Sequence, residues 1–415
     1  MNFLNNFRLY LPYLLPSLLI FSRTLTDITV ILVCLFFLIH CVIEKKFYWL
    51  NEGWFKLTIV FVIYLVFVNS FFSLNQFDTI KYSITFLRWP LFAIAIAYWI
   101  FDYPESFNKL LVSIPITFGI FFCDLWFQFL IADGGILGIS SNPAENRLSV
   151  PFSNNLIPGR LITLFTFILL TSYFFKMNLQ KKIINFNFVF LIIFVGLIST
   201  FITGERVSFI IFTSSLFFIA LGLVLNDKKN YLNIIFFLLI ISIVLLFFYF
   251  LSPNTFNRTI ISSFDKLLNL MDSDYGEVFI TSYEKWKNNI FFGSGLHQYI
   301  NIDPIYGYKL FREYKIYHAH NMVLNLLVET GIIGLVLFYS MIFSICIKII
   351  NSNLVQTILF SNLILIYINF FPLHTHFKLS HNWINGNAWF AIGLILAIIN
   401  IYEKKNNSHN KNKFI

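Results

Sequence analysis

Charge is what this sequence has least of. Only 12% of its 415 residues are Asp, Glu, Lys or Arg, while 58% are apolar; a soluble domain carries about 25% charged residues. Water is therefore not the solvent for most of its surface. Cysteine is also scarce: Cys34, Cys41, Cys123 and Cys346 all lie in or at the ends of apolar runs, with no CxxC and no Cys/His metal spacing. That pattern excludes a disulfide framework and a structural zinc site. Alternating apolar segments of about ten residues, the mark of a membrane β-barrel, are missing as well. Gly, Pro and Arg are sparse, whereas Phe contributes 54 residues and Ile, Leu, Asn and Lys are abundant. These are residues of AT-rich codons, so the Phe excess reflects genome composition and not a cofactor box.

What is present is a series of apolar runs of 17–22 residues along the whole chain, each able to cross roughly 30 Å of hydrocarbon. In lipid every backbone N–H and C=O needs an internal partner, so the runs must be helices. The expected fold is all-α and polytopic, with about twelve transmembrane helices near 9–22, 25–43, 57–74, 82–101, 109–132, 160–176, 183–202, 207–225, 231–251, 331–350, 354–371 and 383–402. The first run lacks a small-residue cleavage site and reads as a span, not a removable signal. The chain then divides into nine spans over 1–251, a large outer loop over 252–317, a helix and three spans over 318–402, and a basic tail over 403–415.

Basic residues orient this array. With the N-terminus inside, inner segments hold fifteen Lys and Arg and the short outer loops six, as the positive-inside rule requires. Fourteen of the fifteen inner charges are Lys, but seven of the eight arginines (Arg23, Arg88, Arg147, Arg160, Arg206, Arg258 and Arg312) fall on the outer side or in the outer half of a span. Arg offers a rigid fork of donors that grips phosphate bidentately and never deprotonates. The outer face thus looks built to hold an anion such as phosphate or pyrophosphate, although arginines anchoring at headgroups would leave the same trace.

The densest polar cluster is Tyr317-His318-Ala319-His320-Asn321. Read as a helix from about Ala319, the segment puts Asn321, Asn325 and Glu329 on one stripe of an otherwise apolar surface, and Gly331 fits a helix stop. A polar stripe at membrane depth is costly unless it faces a cavity or protein partners. His318 and His320 sit at its mouth, where a histidine can pass a proton or bind phosphate. Thr203-Gly204-Glu205-Arg206 forms a short outer turn that fixes Arg206 at the surface, with Glu205 as a neutralising neighbour. Arg147 and Arg160 flank Asn154 and Asn155 and are candidates to hold phosphate and sugar hydroxyls. Arg88 and Asp124 lie at similar depth within spans, so an ion pair between them is expected. Gly293-Ser294-Gly295 lacks the strand and third glycine of a nucleotide site. His374, His376 and His381 have no accompanying carboxylate and read as interfacial.

The outer-turn Arg206, the stretch from Tyr283 to Gly295 (YEKWKNNIFFGSG) and the string His318-Ala319-His320-Asn321…Glu329-Thr330-Gly331 together resemble the bacterial O-antigen ligase and polymerase superfamily. The resemblance covers roughly residues 80–400, with its core from Thr203 to Phe338. It implies a membrane glycosyltransferase of the inner membrane with a periplasmic site. The implied donor is a glycan on undecaprenyl pyrophosphate, and the acceptor is lipid A–core for a ligase or a second lipid-linked glycan for a polymerase. No metal, nucleotide sugar or other cofactor and no nucleic acid is implied; membrane lipids surround the chain. It places His320 and Arg206 at the reaction centre; the reading of the residues themselves adds Arg147, Arg160, Arg88, Arg312, His318, Asn321 and Glu329 as substrate-binding candidates. Ligation is the favoured reading, polymerisation the alternative. Ile290-Phe291-Phe292 departs from the Pro-containing turn expected before the GSG. A lipid-linked oligosaccharide transporter also fits twelve spans, but no internal repeat is visible and the polar residues gather at the outer face instead of the midplane.

Overall fold

Apolar runs of this length can satisfy their backbones only internally, and in the computed structural model, which describes residues 2–131, 148, 157–302, 318–372 and 378–411, they do so as helices with no strand among the described residues. They are α1 (Asn2–Ile20), α2 (Arg23–Glu44), α3 (Gly53–Asn69), α4 (Gln76–Ile100), α5 (Glu105–Leu130), α6 (Pro158–Leu179), α7 (Phe186–Ile202), α8 (Arg206–Asn226), α9 (Tyr231–Leu251), α10 (Asp274–Lys287), α11 (Met322–Asn351), α12 (Gln356–Phe370) and α13 (Asn382–Lys411). Eight described helices are long and apolar enough to cross a membrane, and α3, α7 and α12 are shorter apolar helices. With α1 they match the twelve expected spans. The chain is a multi-pass, all-helical membrane protein.

Two helices form the centre. The apolar part of α13 is buried along its whole length, and α6 over 83% of its apolar window. The α13 helix packs on α2 and α4, and α12 bridges α6 and α8. The prolines of α1 are accommodated by a neighbour: Pro16 has no N–H to give the Pro12 carbonyl, and Ser113 Oγ of α5 donates to it at 3.2 Å.

Short connections make successive helices antiparallel, so their ends form two sets. Arg23, Arg160 and Arg206 stand at the starts of α2, α6 and α8, at what we call the arginine end. The lysine end is cross-tied: Lys348 Nζ meets Glu52 at 2.6 Å, Lys109 Nζ donates to the Leu9 carbonyl at 2.6 Å, and Lys405 Nζ to that of Leu179 at 3.2 Å. The expected long loop after α9 carries short helices over Pro253–Phe256 and Ser262–Leu268 before α10.

Candidate functional site

The site is built on a break in α11. Its first helical stretch begins at Met322, not Ala319, with Asn321 as the N-cap whose Oδ1 accepts from Leu324 N–H at 3.0 Å. Gly331 then takes φ 67° and ψ −175°, which ends that stretch and redirects the chain into the apolar remainder of α11. A helix end leaves carbonyls without partners, and the next helix start leaves N–H groups. The segment 290–295 fills both sets. Ser294 N–H donates to the Val328 carbonyl and Gly295 N–H to that of Glu329, each at 3.0 Å, while the carbonyls of Ile290 and Phe291 accept from Ile332 and Ile333 at 3.0 and 3.2 Å. The residues that depart from the expected Pro turn thus dock through their backbone, while the Phe292 ring stacks on that of Phe72 at 4.3 Å. Close contact demands glycine here: a Cβ on Gly331 would lie 2.2 Å from the Phe291 carbonyl oxygen, and one on Gly293 2.5 Å from Gly331 N.

The third side of the break comes from α3, whose last turn widens to a π-helix over Tyr64–Asn69. Tyr64 OH donates to the Thr330 carbonyl at 2.7 Å; Asn69 Nδ2 reaches the Phe292 and Glu329 carbonyls at 2.7 and 2.8 Å, and Asn69 Oδ1 accepts from Leu296 N–H at 3.0 Å. Single π-turns of this kind are frequent at functional sites. Neither residue stood out in the sequence; only their contact with a helix break gives them meaning.

His318, Ala319 and His320 turn the chain into this helix. The rings of His318 and His320 lie 3.9 Å apart, and the His320 N–H donates to His318 Nδ1 at 3.1 Å. His320 has φ 45°, a left-handed conformation that is uncommon outside glycine and often persists where function holds it. Burial, reinforced by His320, Lys378 and His381, pushes the His318 imidazole down to about 3, so it is neutral across the physiological range. With Nδ1 accepting, the neutral ring carries its proton on Nε2. Asn325 and Glu329 follow on the same stripe, both buried, with Asn325 and the backbone of His297 and Tyr299 facing the Glu329 carboxylate.

A second segment closes over this corner. The Pro372 carbonyl accepts from Met322 N–H at 3.2 Å, and Ser380 Oγ meets His297 Nδ1 at 3.0 Å. His297, like His320, is left-handed, with φ 68°, and its ring lies 3.9 Å from that of Tyr82. His381 is half-buried here, not solvated at an interface as its sequence context suggested. Burial, with Arg23, Arg160 and Lys378 nearby, lowers it to about 4. Lys378 is lowered by burial, against the opposing pull of Glu329. The sequence reading left His381 as interfacial and gave Lys378 no role; the signal lay in the apolar, Asn-rich start of α13 that follows them.

The arginines divide. Arg160 is buried at the start of α6, near His381. Glu205 does not neutralise Arg206 as expected: its carboxylate accepts from the N–H groups of Gly159 and Arg160 at 2.9 and 3.2 Å and from Ser208 Oγ at 2.8 Å, capping α6. Acids stabilise helix N-termini in this way. The Arg206 guanidinium instead donates to the Arg258 carbonyl at 2.9 Å and to Ser262 Oγ at 3.2 Å. Arg88 does not pair with Asp124. It lies 3.4 Å from Asp27 and donates to Asn382 Oδ1 at 2.9 Å, because α4 packs against α2 and α13, not against the face of α5 that buries Asp124. Asp27 went unnoticed in the sequence because it is a lone acid near a span's end. Arg147, Arg312, Asn154, Asn155, His374 and His376 lie outside the described residues. Among the described residues no group of three His, Cys, Asp or Glu could hold a metal ion.

These features define a class: a multi-pass helical membrane protein whose arginine end carries a partly buried cluster of cations and imidazoles, the candidate site, on a broken helix. Residues 188–339 match the O-antigen ligase family, which bears out the resemblance to that superfamily on the segment that carried it. The match brackets the core from Thr203 to Phe338 and is narrower than the 80–400 expected. A comparison with curated proteins finds no match.

Proposed function

We propose that the protein transfers a glycan from undecaprenyl pyrophosphate to an acceptor hydroxyl at the periplasmic face of the bacterial inner membrane, with lipid A–core as the acceptor. The supporting observation is that the match to the O-antigen ligase family spans the broken helix, its glycine cradle and the histidine corner. The lysine-rich end faces the cytoplasm in this reading, as the positive-inside rule asks.

In the reaction the bond from the sugar C1 to the diphosphate oxygen breaks, and a bond from the acceptor oxygen to C1 forms. The acceptor proton moves to a base, and the lipid diphosphate leaves with one added negative charge. Fixed cations near that oxygen stabilise the transition state more than the ground state; Arg206 and Arg160 are the residues assigned to this, with Arg147 and Arg312 as further candidates. His318 presents Nε2–H and is a donor, so His320 is the ring assigned to receive the proton. Asn321 and Glu329 organise the helix start beneath them. Arg88, tied to Asp27 and Asn382, supports the start of α13. Charge on the leaving group is met by side chains, so no metal or other cofactor is required.

The test is reconstitution with a lipid-linked glycan and, separately, lipid A–core or a second lipid-linked glycan, without nucleotide sugar and with EDTA. Glycan joined to lipid A–core in EDTA is the expected product. Transfer only to the second lipid-linked glycan would make the protein a polymerase, loss in EDTA would end the metal-free mechanism, and no transfer to either acceptor would overturn glycosyl transfer.

A further inference from the structure

At the lysine end, the connections after α6 and α8 and the start of α12 line a cavity of about 270 Å³. Its lining mixes apolar Phe174, Ile184 and Phe186 with polar Thr357, Lys182 and Asn230. Thr357 is 4% exposed, and its Oγ1 meets no hydrogen-bond partner among the described residues. Position in the helix explains why. A threonine inside a helix can return its hydroxyl to the carbonyl four residues back, as Thr163 and Thr171 do at 2.8 and 2.7 Å. Thr357 is the second residue of α12, so no helical turn precedes it. The N-cap, Val355, supplies no side-chain acceptor, and its carbonyl takes the N–H groups of Ile358 and Leu359 at 2.9 Å each. The Thr357 N–H has no acceptor among the described residues either. One buried residue thus offers an N–H and an O–H together at a helix N-terminus, where the aligned peptide dipoles favour an anion. A buried hydroxyl left unpaired is destabilising, so the fold gains when an acceptor enters.

The surrounding charge has the matching sign. Lys176, Lys181, Lys182, Lys228 and Lys229 stand in the last turn of α6 and in the connections after α6 and α8, against one acid, Asp227. Asp227 faces its own connection, where Oδ1 accepts from Lys229 N–H at 3.0 Å. Asn230 Nδ2 donates to the Leu223 carbonyl at 3.0 Å and closes the end of α8. Lys182 makes no ion pair among the described residues. The apolar part of the lining indicates what carries the anion. Ile183 borders the cavity and is 92% exposed; a large apolar side chain beside lysines at a helix end suits the headgroup boundary of a bilayer. Basic pockets between helix ends of this kind bind anionic lipid headgroups.

We propose that this cavity is a binding site for an anionic phospholipid of the adjoining leaflet, whose phosphodiester is held by Thr357 N–H and Oγ1–H beside Lys182. The bound lipid fastens the short α12 to the ends of α6 and α8. The site lies at the opposite end of the bundle from the histidine corner and does not depend on the reaction proposed above.

The experiment uses the full-length protein, delipidated in detergent, with phosphatidylglycerol, phosphatidylcholine or inorganic phosphate added. Affinity for the first bound lipid is read by native mass spectrometry, and stability as the melting temperature. Phosphatidylglycerol is expected to raise the melting temperature more than phosphatidylcholine, and inorganic phosphate at the same concentration to leave it unchanged. Thr357→Val should weaken phosphatidylglycerol binding about tenfold, the scale of a lost hydrogen bond to a charged group. Lys182→Gln should weaken it about threefold, because an exposed charge is screened. Without lipid, Thr357→Val should melt at or above wild type, since a methyl replaces an unpaired buried hydroxyl; a folding defect would lower it. Thr357→Ser keeps the hydroxyl and should bind within about threefold of wild type. Wild-type affinity for phosphatidylglycerol in Thr357→Val would overturn the site. Equal protection by phosphatidylcholine would overturn its preference for an anionic lipid, and equal protection by inorganic phosphate would assign the site to a free anion instead of a lipid.

Discussion

His318 and His381 illustrate how one residue type takes different roles by environment. Both have a backbone N–H on Nδ1, and both are held well below the ordinary histidine range by burial and by neighbouring cations. In the unfolded chain they take a proton near 6.5; in the fold, only near 3 and 4. The unfolded state therefore binds more protons in this window, and stability falls as pH drops from about 6.5 toward 3–4. The groups facing them (His320, Lys378, Arg23 and Arg160) act in the same direction. His318→Asn with His381→Asn should flatten the melting temperature against pH over that range; a slope equal to wild type would contradict the neutral assignment. At the reaction centre, His320→Ala and Arg206→Lys should each lower the transfer rate at least about tenfold, since proton transfer and fixed charge stabilisation each contribute that much or more. Arg206→Lys is not conservative here, because its guanidinium reaches a carbonyl and a hydroxyl at once.

At the scale of elements, the break in α11 is the feature on which the site depends. Four backbone groups flanking Gly331 are matched by segment 290–295, and Tyr64 and Asn69 of α3 complete the set. Gly331→Ala forces a Cβ against the Phe291 carbonyl at a left-handed φ; strain plus overpacking should cost on the order of 2–5 kcal/mol, read as a lowered unfolding midpoint in detergent. Asn69→Leu strands the Leu296 N–H and removes a donor from two carbonyls, with about 1–3 kcal/mol lost for each buried group left unsatisfied. Tyr64→Phe should cost less, because it removes a single hydroxyl. An Asn69→Leu protein as stable as wild type would show that the 290–295 docking is held elsewhere.

The whole molecule is polarised. Lysines tie the loops of one end, while arginines and histidines converge on the other, around the N-termini of α6, α8 and α13 and the broken start of α11. With an even number of crossings, both chain ends lie on the lysine side. Single cysteines at Ser408 and at Lys181, in a chain with its four native cysteines replaced, should react with a membrane-impermeant maleimide only after the inner membrane is permeabilised. A cysteine at Asn257 should react without it. Labelling in the reverse order would invert the orientation and with it the periplasmic site.

Hydropathy alone determined the all-helical, multi-pass fold and the number of apolar helices, because in lipid the backbone has no other way to be satisfied. It also singled out the histidine pair, the polar stripe and Gly331, whose spacing is local to one helix. Tertiary structure alone decided the rest, since each of these features depends on distant chain segments. Glu205 caps α6 instead of answering Arg206, Arg88 finds Asp27 and Asn382 instead of Asp124, and the glycines of 293–295 close a helix break from outside. Lys378 and His381 enter the site only because the Asn-rich start of α13 folds them against α11 and α6. Partners separated by tens to hundreds of residues leave no periodicity, and burial, which turns a surface histidine into a neutral donor, is a property of packing and not of any one segment.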